Sequence, residues 1–155
     1  MTSSGIAAQV IDRLGAAGAT LSVAESLTGG LLGAELVAVP GASAVVRGGA
    51  LTYATDTKAS VLGVDAELLT VEGPVHPEVA VQMADGARSL FDTDVALATT
   101  GVAGPGSADA HPAGTFYVAC TGLGRSPAVR RHLVAGPRAA IRSTAVQVAL
   151  ALLLD

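Results

Sequence analysis

Lysine occurs once in 155 residues, at position 58, and the remaining basic charge is carried by arginine alone. Cysteine is as scarce: a lone Cys120 excludes an internal disulfide framework and fits a reducing compartment. Its setting, "TFYVACTG", reads as a strand, so the thiol is expected to serve as a small buried apolar side chain. Positive charge is thin overall. With a net charge of -4, a pI near 5.2 and no basic cluster beyond Arg130-Arg131, the chain lacks the electrostatic footprint of a nucleic-acid or anionic-membrane binder. Long apolar runs are missing, since "VALALLL" near the C-terminus falls far short of the ~20 residues that a bilayer span needs. "MTSSGIAAQVIDR" has no charged segment leading into an apolar one, so a cytoplasmic location is the expectation. Metal-ligand spacing is absent too: His76, His111 and His132 are scattered, with no HxH or HExxH pattern.

What is present is half hydrophobic and 14% charged, in a length suited to one domain spanning 1-155. "SGIAAQVIDRLGAAGA" puts Ile6, Val10 and Leu14 on one helical face, with Gly18 as its stop. "TLSVAES" is a short apolar strand running through Thr28-Gly29-Gly30 into a second helix that ends at Pro40-Gly41. "GGALTYA" reads as a strand, and "TDTKASVLGV" as a short helix with Thr55 or Asp56 at its N-cap, so Lys58 lies in the first turn. Pro77 opens a helix carrying Val79, Met83, Ala87 and Leu90 on one face, followed by the strand "TDVALATTG". After the long loop "VAGPGSADAHPAG", the strands "GTFYVACTG" and "PAVRRHLVAG" form a hairpin, and Pro137 starts a closing helix. Interleaved helices and strands predict an α/β fold: a three-layer α/β/α domain with a mixed parallel/antiparallel sheet.

Polar and glycine-rich segments fall at strand ends, where open α/β sheets bind ligands. Glycines opening a helix, as in "AESLTGG", let backbone N–H groups approach a phosphate or carboxylate, although the same residues also make a plain tight turn. "TTGVAGPG" is a second such loop, with Thr99 and Thr100 as hydroxyl donors. Lys58 has a chemical reading that no arginine could share. A lysine whose pKa falls toward 7 or 8 can act as a base, whereas a guanidinium does not deprotonate. The plain alternative is a solvated helix residue in an arginine-biased chain.

The blocks "LSVAESLTGG", "PGASAVVRGGALTYATDTK", "MADGAR", "TTGVAGP" and "PAGTFYVA", in this order across nearly the whole chain, resemble the CinA C-terminal domain family of competence/damage-inducible proteins. In stand-alone form that domain looks like a nicotinamide-mononucleotide deamidase. The resemblance implies hydrolysis of the carboxamide of a small-molecule nucleotide, giving nicotinate mononucleotide and ammonia with no metal or organic cofactor. It also implies a homo-oligomer, while the charge and hydropathy above already argue against nucleic-acid and membrane partners. By this resemblance Ser43 would be the nucleophile, Tyr53 its companion and Lys58 the general base. Thr28, Gly29, Gly30, Thr100, Gly101 and Arg142 would bind substrate, with Arg142 or the Thr28-Gly29-Gly30 turn on the phosphate.

Ser43 and Lys58 are separated by a predicted strand of about six residues, some 20 Å long, so they cannot meet along a straight path. Either residues 43–47 fold back, or the pair forms across a subunit interface. Three segments depart from the family pattern. The glycine loop continues as "GPGSADAHPAG", with an aspartate and a histidine; no aspartate precedes Arg138 in "AGPRAAIR"; and His76 stands where a serine is common, as a helix-capping change. An active amidohydrolase and a non-catalytic nucleotide- or protein-binding accessory module are the two functional classes these residues leave open.

Overall fold

Helix α1 (Ser3–Ala17) forms where apolar residues recur with a helical period, and it buries Ala7, Val10, Ile11 and Leu14 before Gly18 turns the chain at φ 65°. The computed structural model describes the backbone of residues 3–155 and the side chains from residue 5 onward. Strand β1 (Leu21–Glu25) follows, then α2 (Leu31–Val37), a single 3-10 turn at Ala42–Ala44 and strand β2 (Val46–Leu51). Three helices come next, α3 (Thr55–Leu62), α4 (Ala66–Glu72) and α5 (Pro77–Phe91). Strands β3 (Val95–Gly101), β4 (Thr115–Gly122) and β5 (Arg125–Leu133) lead to helix α6 (Arg138–Leu154).

The five strands form one sheet in the order β2-β1-β3-β4-β5, parallel across β2, β1 and β3 and antiparallel from β3 to β5. Side-chain alternation along the strands divides the core in two. Leu21 and Val23, Val95 and Leu97, and Phe116 and Val118 face α1, α2 and α6, while Ala24, Ala96, Ala98 and Ala119 face the α3 to α5 side. Burying a side chain of the first set is worth about 1.5–3 kcal/mol, so the α1/α6 side supplies most of the hydrophobic drive. The alanine side sets a close approach instead. Gly86 of α5 packs so tightly on the end of α3 that a Cβ there would stand 1.9 Å from the Leu62 carbonyl oxygen.

The mixed-sheet α/β fold is as expected from the sequence, and the β4–β5 hairpin closes through Leu123 and Gly124, both with positive φ. Four local expectations are corrected. Helix α3 is capped by Ala54 rather than by Thr55 or Asp56, and the Thr57 hydroxyl donates back to the Ala54 carbonyl at 2.6 Å. Strand β2 starts earlier than the glycine pair, at Val46, because its register opposite Leu21 of β1 begins there. Helix α4 was not anticipated from the pattern, although Asp65 caps it by accepting from the Glu67 and Leu68 amides. Cys120 is half-buried rather than buried, on β4 against the α6 side, and desolvation pushes its thiol pKa up. His76 does cap α5, its Nδ1 accepting from the Glu78 amide at 3.1 Å.

Candidate functional site

Chain direction across the sheet reverses between β1 and β3: β1 connects outward to β2, and the chain then returns to β3 on the other side. Such a switch point leaves a crevice beyond the strands' carboxyl ends. A cavity of about 310 Å³ lies there. Ser26 lines it just past β1, Tyr53 and Lys58 from the β2–α3 region, Thr100 and Gly101 from the end of β3, and Arg138 from the start of α6. The 102–109 segment, with Leu27, Thr55, Pro74 and Val75, completes the lining.

Lys58 is 1% exposed, and its Nζ donates to the Thr52 carbonyl at 2.6 Å and to the Ser26 hydroxyl at 3.0 Å. Helix α3 carries it inward from its first turn, behind the end of β2. Burial strips water from the ammonium and lowers the pKa from 10.5 to about 8, against a smaller upward pull from the Asp109 carboxylate. A buried amine with a lowered pKa, held 3.0 Å from a serine hydroxyl, has the geometry that a nucleophile–base pair requires.

The serine in this pair is not Ser43. The fold does not take the one path that the sequence left open within a single chain: residues 43–47 do not turn back over β2. Val45 accepts from the Leu21 amide and Val46 pairs with Leu21, which places Ser43 at the entry edge of the parallel pair. Glu25 and Leu51 pair at the exit edge, where Ser26 follows. Ser43 is exposed on its 3-10 turn and lies outside the cavity. Ser26 stood in plain view inside "AESLTGG", and its signal was position: the first residue past a strand at the switch point.

The Thr28-Gly29-Gly30 turn and Arg142 also have different work from that expected of a phosphate site. The Glu25 side chain, 3% exposed, fills the anion position itself. Its Oε1 accepts from the Thr28 hydroxyl at 2.6 Å and the Gly30 and Leu32 amides at 3.2 and 2.9 Å, while Oε2 accepts from the Gly33 amide at 3.0 Å. The Thr28 proton goes to this carboxylate, so the Thr99 hydroxyl, 2.8 Å away, donates to Thr28 and faces the Ser26 amide at 3.4 Å. Arg142 clasps the same turn from α6, donating to the Leu27 and Thr28 carbonyls at 2.8 and 3.1 Å. Gly29, at φ 60°, leaves room for that guanidinium, since a Cβ would lie 2.9 Å from its Nη2. None of Thr28, Gly29, Gly30 and Arg142 lines the cavity. They hold the serine-bearing turn in place.

Replacing Glu25 by glutamine tests this. Rotating the amide oxygen toward the three Oε1 donors would point an NH2 at the Gly33 amide, so we expect a loss of roughly 2–4 kcal/mol, read from the urea midpoint.

On the cavity side, Tyr53 is 61% exposed, and its hydroxyl accepts from Arg138 Nη2 at 3.0 Å. Arg138 Nη1 donates to the Gly104 carbonyl at 2.6 Å. Arg138, rather than Arg142, therefore reaches the cavity. Thr100 donates to the Pro74 carbonyl at 2.8 Å, and Gly101 ends β3 against Phe116. Among the described residues, no group of three or more potential metal ligands is assembled, and no helix is long and apolar enough to cross a membrane.

Fold and cavity thus define a five-stranded α/β domain with a serine–lysine pair at its switch point. The chain belongs to the CinA C-terminal domain family, whose profile it matches over residues 3–155. It is 49% identical over 132 residues to a CinA-like protein of Frankia casuarinae, covering 85% of this chain and 30% of the relative. A CinA-like protein of Anaeromyxobacter is 46% identical over 147 residues, covering 94% and 36%. The chain therefore spans about a third of these relatives' length. Among solved structures, the competence-damaged protein (CinA) superfamily protein of Escherichia coli superposes with a TM-score of 0.94 at 34% identity, covering 99% of this chain and 89% of the other. A competence or damage-inducible protein of Enterobacter asburiae gives 0.95 at 30%, covering 99% and 97%.

Proposed function

We propose that this domain is an amidohydrolase acting on the carboxamide of nicotinamide mononucleotide, with Ser26 as nucleophile and Lys58 as general base. The observation that carries this reading is the 3.0 Å contact between a buried lysine and Ser26. Neutral Lys58 takes the Ser26 proton as the Oγ–C bond to the amide carbon forms. Lys58 then passes that proton to the departing nitrogen as the C–N bond breaks, releasing ammonia. Water attacks the ester with Lys58 again as base, a carboxylate leaves, and Ser26 regains its proton. The Thr52 carbonyl fixes Nζ throughout. Backbone N–H groups of the glycine-rich 101–106 segment are candidates for the oxyanion, a contribution of roughly 3–4 kcal/mol per donor in enzymes where it is measured. Arg138, with two of its five N–H groups donated to Tyr53 and Gly104, keeps capacity for a phosphate.

Ammonia release from nicotinamide mononucleotide by the purified protein tests the proposal, with nicotinamide and nicotinamide riboside as controls. Turnover of the mononucleotide above both controls supports it. Tight binding without turnover of any of the three would replace it with the accessory-module reading.

A further inference from the structure

The loop that departs most from the family pattern, "GPGSADAHPAG", is built around a defined turn. The Ala108 amide donates to the His111 carbonyl at 3.0 Å, and the His111 amide returns a bond to the Ala108 carbonyl at 2.9 Å. Asp109 and Ala110 between them have φ of 50° and 64°, the left-handed pair of a two-residue hairpin turn. Nothing in the hydrolase chemistry above uses this hairpin. Yet it sets the Asp109 side chain in the wall of the cavity, close enough to Lys58 for its charge to be felt there. The cavity is therefore lined by a carboxylate from the loop and a guanidinium from α6, in addition to the serine–lysine pair. That charge pattern matches a zwitterion: a positive centre close to the amide and an anionic group elsewhere on the same small molecule.

We propose that Asp109 is a specificity-determining residue, selecting amides whose ring bears a positive charge, such as an N-substituted pyridinium carboxamide, over amides with a neutral ring. The inference rests on the hydrolase reading for the placement of the amide, but its sign follows from the loop alone. For a separation of about 5–8 Å, at an effective dielectric between that of a protein surface and water, a carboxylate favours a cationic ring by about three- to tenfold in affinity. The preference weakens as salt screens it.

Asparagine is the test substitution, because it is isosteric and tolerates the left-handed conformation as aspartate does. In a Ser26→Ala background, calorimetric Kd values for nicotinamide mononucleotide, with a cationic ring, and its reduced dihydropyridine form, with a neutral ring, are compared with and without Asp109→Asn. The expected result is a three- to tenfold weakening for the cationic form alone, shrinking in 0.5 M salt and restored by Asp109→Glu. In the Ser26-containing enzyme, Asp109→Asn also moves the rise of kcat/KM to lower pH, since the carboxylate holds the Lys58 pKa up. Tyr53 and Arg138 are the other titratable groups lining the cavity, and both are unchanged in the variant. Equal weakening of both forms, no weakening, or no binding of either overturns the proposal. Charge-selective binding by a protein that never releases ammonia would uphold it and sink the hydrolase reading instead.

Discussion

Ser26→Ala is expected to lower kcat/KM for ammonia release by at least 10³-fold, while Ser43→Ala leaves it within about twofold. The expectation follows from where each hydroxyl sits. Ser26 Oγ is 3.0 Å from the buried Lys58 amine, and Ser43 is exposed at the far edge of the β1–β2 pair. Removing Ser26 Oγ deletes one atom from a turn still held by Glu25 and Arg142, so thermal stability should stay within about 1 kcal/mol of the parent. A lost activity is then a chemical loss rather than a folding one. The reverse pattern, with Ser43→Ala inactive and Ser26→Ala active, would assign the nucleophile to Ser43 delivered from another copy of the chain.

Lys58→Met should be equally damaging to turnover and should abolish its dependence on pH near 8. In the parent protein, the rate should climb with pH through about 8, because only the neutral amine accepts the serine proton. At pH 8 a lysine of ordinary pKa is neutral only about 0.3% of the time, against about half for Lys58, a gain in competent base of roughly 150-fold. The same shift has a stability signature. Between pH 8 and 10.5 the unfolded chain binds more protons at this side chain than the folded one, so folding stability rises with pH across that window. Below the window the folded protein must hold a desolvated charge, and the penalty is fully present. Methionine, apolar and of similar length, removes this dependence, though it leaves the Thr52 carbonyl without its 2.6 Å donor. The unfolding free energy measured from pH 7 to 10.5 should therefore climb with pH in the parent relative to the variant, while the raised Cys120 thiol pKa contributes the same decline above about 9 to both. Parallel profiles for parent and variant would mean that Lys58 titrates at its ordinary value.

Much of this was legible in the chain because it is local. Helices α1, α5 and α6 follow from apolar periodicity and from the Pro77 and Pro137 starts, and the fold class from the interleaving of helices with strands. The short helix α4 was missed because seven residues give too few turns for a periodic signal, and its Asp65 and Gly73 boundary signals were not read as the glycine and Pro-Gly boundaries of the equally short α2 were. The importance of Lys58 was also readable, since its proposed role is one that arginine cannot perform.

The partner of Lys58 was not readable, because serine choice is a question of which end of a strand faces which. Ser43 lies in the same sequence segment as the lysine, yet β2 carries the chain the full height of the sheet between them. Ser26, 32 positions away in sequence, is brought beside Lys58 by the parallel register of β1 with β2. The glycine turn tells the same story in electrostatic terms. By sequence it offers backbone N–H groups to any anion, and only the fold shows that Glu25 has already taken them. The sequence by itself determined the fold class, most of the elements, the family and the one basic residue whose proposed role arginine cannot fill. Tertiary structure decided which hydroxyl stands next to it, because strand pairing sets distances in space that separation along the chain does not encode.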